Sequence, residues 1–224
     1  MIKIRELEPG DFEGVARLAL KIYPSGPPWS DEQLMSHLRE FAEGQLAAID
    51  ESTGELVGYA ASLIIFWDDY DIQSNWRDFT DHGYFTNHDP VRGRTLYAAD
   101  VMVDPDRQGE GIGKLLYAAR HDLMSRLKLL RIRAGARLQG YHRYSATMSP
   151  EAYVRDVVAG KLSDATLSFQ LKRGFKVIGV AAGYMRHDPK SLGYAAVIEL
   201  INSEVATEED YRHQRESPFF VDSR

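Results

Sequence analysis

One stretch of this sequence limits its fold more than any other: the segment 95–128, where a β-rich run is followed by closely spaced glycines and then by helical periodicity. The run at 95–103 ends at Asp104-Pro105-Asp106, because proline has no N–H to give to a strand ladder. After the glycines, apolar residues recur every three or four positions, as on one face of a helix. We therefore predict a strand, a tight glycine loop and a helix.

The glycines of this loop are costly unless they serve a purpose. Each glycine inside a helix loses about 0.8 to 1 kcal/mol relative to alanine, so Gly111 and Gly113 weaken the first turn by roughly 2 kcal/mol. Lys114 also meets the positive end of the helix dipole, which costs about 0.3 to 1 kcal/mol. A bound anion reverses both effects, because bare N–H groups can approach phosphate oxygens and the lysine becomes a counter-charge. The loop therefore favours an anion site over a merely tight turn.

Two familiar phosphate loops do not fit this pattern. A Walker loop, GxxxxGK followed by Ser or Thr, would need glycine and Ser or Thr where Gln108 and Leu115 stand. The dinucleotide fingerprint would need its third glycine where Lys114 lies. What remains is Gln108-x-x-Gly111-x-Gly113 after a strand that ends Val-Met-Val-Asp-Pro-Asp.

Composition sets further limits on the class of protein. With 224 residues, 44% of them hydrophobic, one domain with or without a small extension is the natural expectation. The absence of cysteine excludes disulfides, thiolate metal sites and a cysteine nucleophile, and we predict no metal. A net charge of −6 disfavours nucleic acid as a partner and suits a cationic amine.

The sequence predicts neither a membrane span nor an export signal. The longest apolar run, 59–67, is far shorter than the roughly 20 residues that a membrane helix needs. Residues 1–5 open directly into the alternation of a half-buried strand, without a signal peptide. We therefore expect a cytoplasmic protein that binds no membrane.

The remaining elements can be predicted from periodicity and capping signals. Helical stripes follow at 12–22 and after the capping box of Ser30 and Gln33. The other predictions are strands at 46–49 and 56–66 with a turn at 52–54, a strand at 131–138, a short helix from Pro150, a helix at 164–173 ended by Gly174, and strands at 175–185 and 192–201. Residues 203–224 are charged and patternless, which predicts a mobile or partner-bound tail.

The long connection at 67–94 is polar and aromatic. Connections of this length are usually functional lids or disordered excursions. Its aromatic content argues against disorder. A lid and an interaction surface are the two hypotheses that remain.

The glycine pattern resembles the pyrophosphate loop of the GNAT acetyltransferases, and the likeness extends through the strand before it and the helix after it. The order of predicted elements is also similar to that of the GNAT fold. The resemblance implies an α/β (α+β) architecture, with a mixed central sheet of about seven strands flanked by helices and splayed between strands four and five. It covers 1–202 as a GNAT acetyltransferase domain and leaves 203–224 as a charged C-terminal tail.

A narrower likeness is carried by five short strings, GRTLY at 93–97, GYHRY at 140–144, MSPE at 148–151, LSFQ at 167–170 and SLGY at 191–194. They resemble the GNAT-type domain that is found fused ahead of a carbon–nitrogen hydrolase (nitrilase-like) domain. Because the chain ends at Arg224, we expect a free-standing version of that domain.

The resemblance implies acetyl-CoA as co-substrate, bound where strands four and five separate. Strand-four backbone groups at Val101, Met102 and Val103 would bond the pantetheine. The matching pyrophosphate positions are Gln108, Gly109, Glu110, Gly111, Ile112, Gly113 and Lys114. Ser163, which replaces the usual asparagine of a later helix, and Ser168 complete the expected cofactor-binding set.

Acetyl transfer requires a neutral amine, and freeing the lone pair of a lysine-like amine at neutral pH costs about 4 kcal/mol. Tyr97 falls where some GNAT enzymes carry a catalytic glutamate. Asp100 is the carboxylate within strand four, and His142 carries an imidazole, a frequent general base. A hydrogen-bonded strand end and a structural histidine in a tyrosine-rich turn are the alternative readings of Asp100 and His142.

The proton donor to the leaving thiolate is less clear in the sequence. Many GNAT members carry a tyrosine in the helix before the Gly-Phe pair, and Gln170 stands at that position here. Tyr144, Ser168 or solvent would then have to supply the proton.

Two functions remain open at this stage. The first is an N-acetyltransferase in which a small-molecule or peptide amine attacks acetyl-CoA directly in a ternary complex, with Tyr23 and Trp29 as a wall of the acceptor site or as part of a packed connector. The second is a catalytically weak CoA-binding module that acts as a sensor or as the partner of a nitrilase-like hydrolase. A homodimer and a separate nitrilase-like protein are the protein partners considered.

Overall fold

Seven strands form one sheet in the residues that this computed structural model describes, which are 1–24, 26–186 and 188–220. The strands are β1 (Ile2–Glu6), β2 (Gln45–Asp50), β3 (Leu56–Ile65), β4 (Thr95–Val103), β5 (Arg131–Arg137), β6 (Lys176–Ala181) and β7 (Ala195–Ile201). The α-helices are α1 (Phe12–Ile22), α2 (Asp31–Phe41), α3 (Trp76–Phe79), α4 (Ile112–Arg126), α5 (Pro150–Val158), α6 (Leu167–Leu171) and α7 (Arg212–Arg215). None of these described helices is long and apolar enough to cross a membrane.

The sheet is mixed, with strand order β1-β2-β3-β4-β5-β7-β6. Only β4 and β5 run parallel, and they pair at three positions: Thr95 with Arg131, Leu96 with Ile132 and Tyr97 with Arg133. Every other neighbouring pair is antiparallel. Beyond the third pair, β4 and β5 continue without bonding to each other. The predicted seven-stranded mixed sheet is confirmed, and the strands open where the resemblance places the splay.

A bulge in β4 lies next to this opening. The β3–β4 register steps from Ala61 opposite Asp100 to Ser62 opposite Ala98, so β4 contains one extra residue. The fully buried guanidinium of Arg120 in α4 holds the two strands there. It donates to the Asp100 carbonyl at 2.7 Å, to the Ala61 carbonyl at 3.1 Å and to the Ser62 hydroxyl at 2.9 Å.

The two faces of the sheet are covered by different parts of the chain. Helices α1 and α2 and the segment 67–94 bury one apolar cluster, which includes Val15, Leu34 and Tyr97. Helices α4, α5 and α6 bury another on the opposite face, which includes Leu123 and Val154. The opening between β4 and β5 therefore connects two independently packed layers.

Most predicted helix boundaries agree with the structure, but α6 is shorter than expected. Ser30 and Gln33 form the predicted capping box of α2, and Pro150 is the first residue of α5. Helix α6 spans Leu167–Leu171 rather than 164–173, because the Asp164 carboxylate accepts the amides of Thr166 and Leu167 and begins the helix later.

The strands predicted at 175–185 and 192–201 are also too long. Strand β6 ends at Ala181 and β7 begins at Ala195. The described residues between them form turns, with left-handed backbone at Leu192 and Gly193. Tyr184 leaves the sheet plane and its ring lies against Gly135, where a Cβ atom would come within 2.1 Å of it. Tyr184, one of the residues that suggested a longer strand, therefore packs against Gly135 instead of extending β6.

The segment 67–94 is ordered and packed, as its aromatic content predicted. Its carbonyl groups at His82, Gly83 and Tyr84 are bonded by side chains of α2. Phe79 and Phe85 are fully buried in the cluster on that face.

The described residues of 203–224 pack against the domain, which contradicts the mobile alternative of the predicted mobile or partner-bound tail. Gln214 in α7 donates to the buried Glu199 carboxylate at 3.1 Å, and the Ser217 hydroxyl donates to the Val177 carbonyl at 2.8 Å. Phe219 is buried in the core cluster. A polar segment can dock through a few buried side chains, which periodicity does not reveal. Residues 221–224 lie outside the described ranges, and the domain boundary at residue 202 stays a prediction.

Candidate active site

A cavity of about 740 Å³ lies where β4 and β5 separate. Its walls come from both layers: the glycine loop, α4 and α6 on one side of the sheet, and the end of α1, Trp76 and the β6–β7 connection on the other. Because the strands do not pair there, the backbone edge of β4 after Tyr97 faces the cavity without a strand partner. The cavity thus passes through the sheet.

The glycine loop presents free backbone amides to this cavity. Gly109 and Gly111 have φ angles of +88° and +82°, in the left-handed region that glycine adopts without strain. A Cβ at either position would meet nothing within 4 Å, so backbone conformation rather than crowding explains these glycines. The first helical hydrogen bond is made by Leu115, and the amides of 109–114 have no acceptor among the described residues. This is the geometry of an anion-binding helix start.

The charged side chains of the loop are arranged around those amides. Glu110 bonds to Arg107, which also bonds to Asp50 at 2.9 Å. The hydrogen bonds from Arg107 hold the pKa of Glu110 below its usual range, and the guanidinium balances its charge. Lys114 is exposed at the cavity lining, together with Gln108. The predicted pyrophosphate positions therefore lie together, with Glu110 directed to Arg107.

The predicted pantetheine positions lie along the free edge of β4. Val101 and Val103 line the cavity. The side chain of Met102 points to the opposite face and is buried in the core. The predicted contacts use only backbone atoms, so this alternation does not affect them.

Asp100 lies at the centre of the cavity, beside the bulge. Its carboxylate accepts from the Tyr23 hydroxyl at 3.3 Å and from the Trp29 indole at 3.1 Å. Burial raises the pKa of this carboxyl above the usual aspartate range. The indole of Trp76, from the segment 67–94, donates to the Ala99 carbonyl at 2.9 Å. Two aromatic residues therefore bond the carboxylate, and a third bonds the neighbouring backbone of β4.

Tyr97 is placed beneath the cavity rather than at its surface. Its side chain is 1% exposed, and its hydroxyl is hydrogen-bonded to that of Tyr184. Burial raises the pKa of Tyr97 well above its ordinary value, so the phenol stays neutral. Tyr184 reaches the cavity lining, and burial raises its pKa to about 12.

His142 and Tyr144 are not brought to the cavity. His142 is exposed in a 3-10 turn, with its Nδ1 atom 3.0 Å from the Lys190 carbonyl. The ring of Tyr144 packs against Tyr153 at 5.4 Å. The structure therefore separates both residues from Asp100.

Ser163 and Ser168 are also outside the described cavity lining. Ser163 is exposed, and the Ser168 hydroxyl accepts the Asp164 amide at 3.0 Å. This part of the chain instead lines the cavity with Thr166, Phe169 and Gln170.

Sequence reasoning missed Tyr117, which lines the cavity from α4. Gln170 donates from Nε2 to the Tyr117 hydroxyl at 2.8 Å, and both line the cavity. Burial raises the pKa of Tyr117, so its hydroxyl carries a proton at neutral pH. The guanidinium of Arg120 lies 5.6 Å from the tyrosine ring. The spacing of Tyr117 and Arg120 on one helix face was the available signal.

Sequence reasoning also missed an ion pair at the other end of the cavity. Arg137, at the end of β5, binds Asp188 through Nε at 2.6 Å and Nη2 at 2.9 Å. The Ser191 hydroxyl holds the same carboxylate. Arg137 and Lys190 line the cavity on the side of Tyr23.

Known proteins are similar to this chain in both sequence and fold. Residues 4–143 match the acetyltransferase (GNAT) family. The chain is 38% identical over 212 residues to the probable hydrolase YhcX of Bacillus subtilis (strain 168), covering 95% of this chain and 41% of that protein. The chain thus spans less than half the length of YhcX. It is 34% identical over 205 residues to the uncharacterized N-acetyltransferase YkwB of the same organism, covering 90% and 89%.

A solved structure has the same fold at low sequence identity. The GphF GNAT-like decarboxylase, in complex with isobutyryl-CoA, superposes with a TM-score of 0.72 at 20% identity and covers 89% of this chain and 98% of that one. The family match spans more than half of the chain, and YkwB is similar to it over nearly its whole length. The predicted resemblance is confirmed, and the chain belongs to the GNAT family of acetyltransferases.

Proposed function

We propose that this protein transfers an acetyl group from acetyl-CoA to the amine of a second substrate, with both substrates bound at once. The observation that supports this most directly is the arrangement of one cavity. Free loop amides at 109–114 line it on one side of the sheet, and the Asp100 carboxylate faces it near the acceptor-side aromatics. The anion-binding loop fits the acetyl donor, and the candidate base fits the amine acceptor. The unpaired strand edge lies between them.

The chain's own residues fit a CoA thioester as donor. The amides of the loop and Lys114 would hold the pyrophosphate, and the unpaired β4 edge at 101–103 would bond the pantetheine amides. A backbone N–H of that edge would also polarise the thioester carbonyl, as an oxyanion hole does.

Asp100 would act as the base that frees the amine. Its raised pKa makes the carboxylate a stronger base than an exposed aspartate. Asp100 would take one proton from the ammonium group and release it to solvent, which leaves a neutral amine. As the C–N bond forms and the C–S bond breaks, the Asp100 carboxylate would accept the second proton from the nitrogen. Tyr117 would give its proton to the departing sulfur, with Gln170 holding the phenol oxygen. Solvent would then restore both groups.

The test is acetyl-CoA turnover with a panel of primary amines, followed by thiol titration and by mass analysis of the acetylated product. The protein has no cysteine, so it contributes no thiol background. We expect CoA release only when an acceptor is present. Calorimetric binding of CoA without turnover of any amine would instead favour the CoA-binding module, and failure to bind CoA would contradict both functions.

A further inference from the structure

We propose that the acceptor is a free α-amino acid with an apolar side chain, whose ammonium group faces Asp100 and whose carboxylate faces Arg137 and Lys190. This inference rests on the proposed acetyl transfer and names its substrate class. The two ends of the acceptor side of the cavity carry opposite charges, negative at Asp100 and positive at Arg137 and Lys190.

The end at Asp100 suits an ammonium group. The carboxylate accepts from the neutral side-chain donors Tyr23 and Trp29 and from the Val101 amide, and its two oxygens keep capacity for a further hydrogen bond. Trp29 and Trp76 lie with their ring centres 5.5 Å apart beside it. A carboxylate that can accept a further hydrogen bond favours a cationic donor over a neutral one.

The other end suits a carboxylate. Asp188 occupies Nε and Nη2 of Arg137, which leaves Nη1 as the guanidinium nitrogen that Asp188 does not bind. Lys190 is exposed at the same end, and it makes no ion pair with the described carboxylates. The three side chains together carry one net positive charge. Because Ser191 fixes Asp188, the guanidinium is held in place before any ligand binds.

Tyr23 places the two ends close together. Its hydroxyl is 3.3 Å from an Asp100 oxygen, and its ring centre is 5.2 Å from the Arg137 guanidinium carbon. One tyrosine side chain therefore contacts both charged groups. A compact zwitterion can contact both, whereas a diamine would bring a second positive charge to Arg137 and Lys190. A peptide N-terminus lacks the adjacent carboxylate.

Apolar side chains also contribute to the cavity wall. Ile22, Trp76 and Met185 line it on the acceptor side. An apolar side chain on the amino acid would be buried against them, and a charged one would lose its hydration.

Three acceptors of matched shape test the charge requirement: leucine, leucinamide and isopentylamine, which carry a carboxylate, a neutral amide and neither. We expect kcat/KM for leucine to exceed the other two by roughly ten- to hundred-fold, the usual effect of hydrogen bonds to a charged group. Arg137→Gln should raise KM for leucine by a similar factor and change kcat/KM for isopentylamine far less. Lys190→Gln, at an exposed site that folding tolerates, should act in the same direction.

Arg143→Gln is the matched control, because Arg143 is an exposed arginine outside the described cavity lining. Arg143→Gln should change the kinetics with neither leucine nor isopentylamine. Equal turnover of all three amines would overturn the amino-acid inference while acetyl transfer itself still holds. The same conclusion would follow if both Arg137→Gln and Lys190→Gln kept the preference for leucine. If CoA is released when no amine is present, the proposed function fails and the amino-acid inference fails with it.

Discussion

Asp100 illustrates how far the chemistry of one side chain depends on neighbours that are distant in the sequence. Its partners Tyr23 and Trp29 come from the end of α1 and the connection that follows, more than seventy positions away. Burial raises the pKa of the carboxyl, and the hydrogen bonds from these two partners oppose part of that rise. An exposed aspartate would be a weaker base at neutral pH.

Asp100→Asn removes the proposed base without changing side-chain size. We expect kcat/KM for amine acetylation to fall by about 100-fold, a typical loss for a general base. In the native protein kcat/KM should fall as the pH is lowered through the raised pKa of Asp100, because only the carboxylate accepts a proton. The measurement is steady-state thiol release as a function of pH.

The control for this variant is Asp122→Asn, an exposed aspartate on α4. It should keep full activity. An Asp100→Asn protein with undiminished turnover would show that another group frees the amine.

Tyr117→Phe removes the proposed proton donor and leaves the ring in place. We expect kcat to fall by roughly 100-fold while the Kd for CoA stays unchanged, because the loss affects only the departing sulfur. Gln170→Glu should lower kcat as well, since a carboxylate would accept the tyrosine proton instead of donating to the phenol oxygen. Calorimetry and initial rates measure the two effects separately.

Tyr211→Phe, in the C-terminal segment, serves as the control for loss of a tyrosine hydroxyl. If Tyr117→Phe reduces CoA binding and leaves kcat intact, Tyr117 acts in binding rather than in proton transfer.

The bulge explains why some residues of β4 could be assigned from the sequence and others could not. An uninterrupted strand places alternate residues on one face. With the extra residue, Tyr97 and Met102 share a face although they are an odd number of positions apart. No turn residue within β4 indicates this shift in register. Tyr97 was therefore a reasonable candidate from its position and lies in the core instead.

The glycine loop, by contrast, could be predicted almost completely. Its glycines, its lysine and the helix that follows are contiguous, and their conformational requirements are local. The cavity wall opposite it depends on the β6–β7 connection and on Arg137, which meet only through tertiary packing. Local signals therefore predicted the glycine loop and Asp100, and missed Arg137 and the β6–β7 connection.

Gly111→Ala tests whether the loop conformation serves ligand binding. Alanine at a φ of +82° should cost about 1 to 2 kcal/mol of stability and should weaken CoA binding, because relief of that strain turns the amides away. Thermal unfolding and calorimetry with CoA measure the two effects.

Gly160→Ala is a close match for this strain. Gly160 has a φ of +72°, has nothing within 4 Å of an added Cβ and lies outside the cavity lining. It should lose similar stability and keep its affinity for CoA. Equal affinities in both variants would contradict the assigned role of the loop.

The attachment of the segment 67–94 to α2 should be sensitive to pH. His37 in α2 is fully buried, stacks on Phe85 at 3.7 Å and lies 2.8 Å from the Gly83 carbonyl. Burial lowers its pKa to about 4, against about 6.5 in an unfolded chain. The unfolded state therefore binds more protons between these values, so stability falls as the pH drops, by about 3 kcal/mol in total.

Urea unfolding at about pH 7 and about pH 4.5 measures this loss. In His37→Gln the difference between the two pH values should shrink by most of that amount, whereas His121→Gln, at an exposed histidine, should behave like the native protein. An unchanged difference in His37→Gln would show that the histidine is not the group responsible.

A C-terminal segment that periodicity did not predict to lie in the core completes the molecule as a whole. Phe219 is 6% exposed and its neighbour Phe220 is 40% exposed. Phe219→Ala should lower the free energy of unfolding by about 3 kcal/mol, whereas Phe220→Ala should change it by less than about 0.5 kcal/mol. Denaturant titration of the two variants gives the comparison. Similar losses in both would mean that the segment does not dock as described.

The passage through the sheet has a consequence for how such a protein can change over time. Each reactant would approach from its own layer, and the reacting atoms would meet only where the strands part. Substitutions around Arg137 and the β6–β7 connection could then alter which amine is accepted and leave the glycine loop untouched. One inherited half for the donor and one adaptable half for the acceptor would give a single framework many possible substrates.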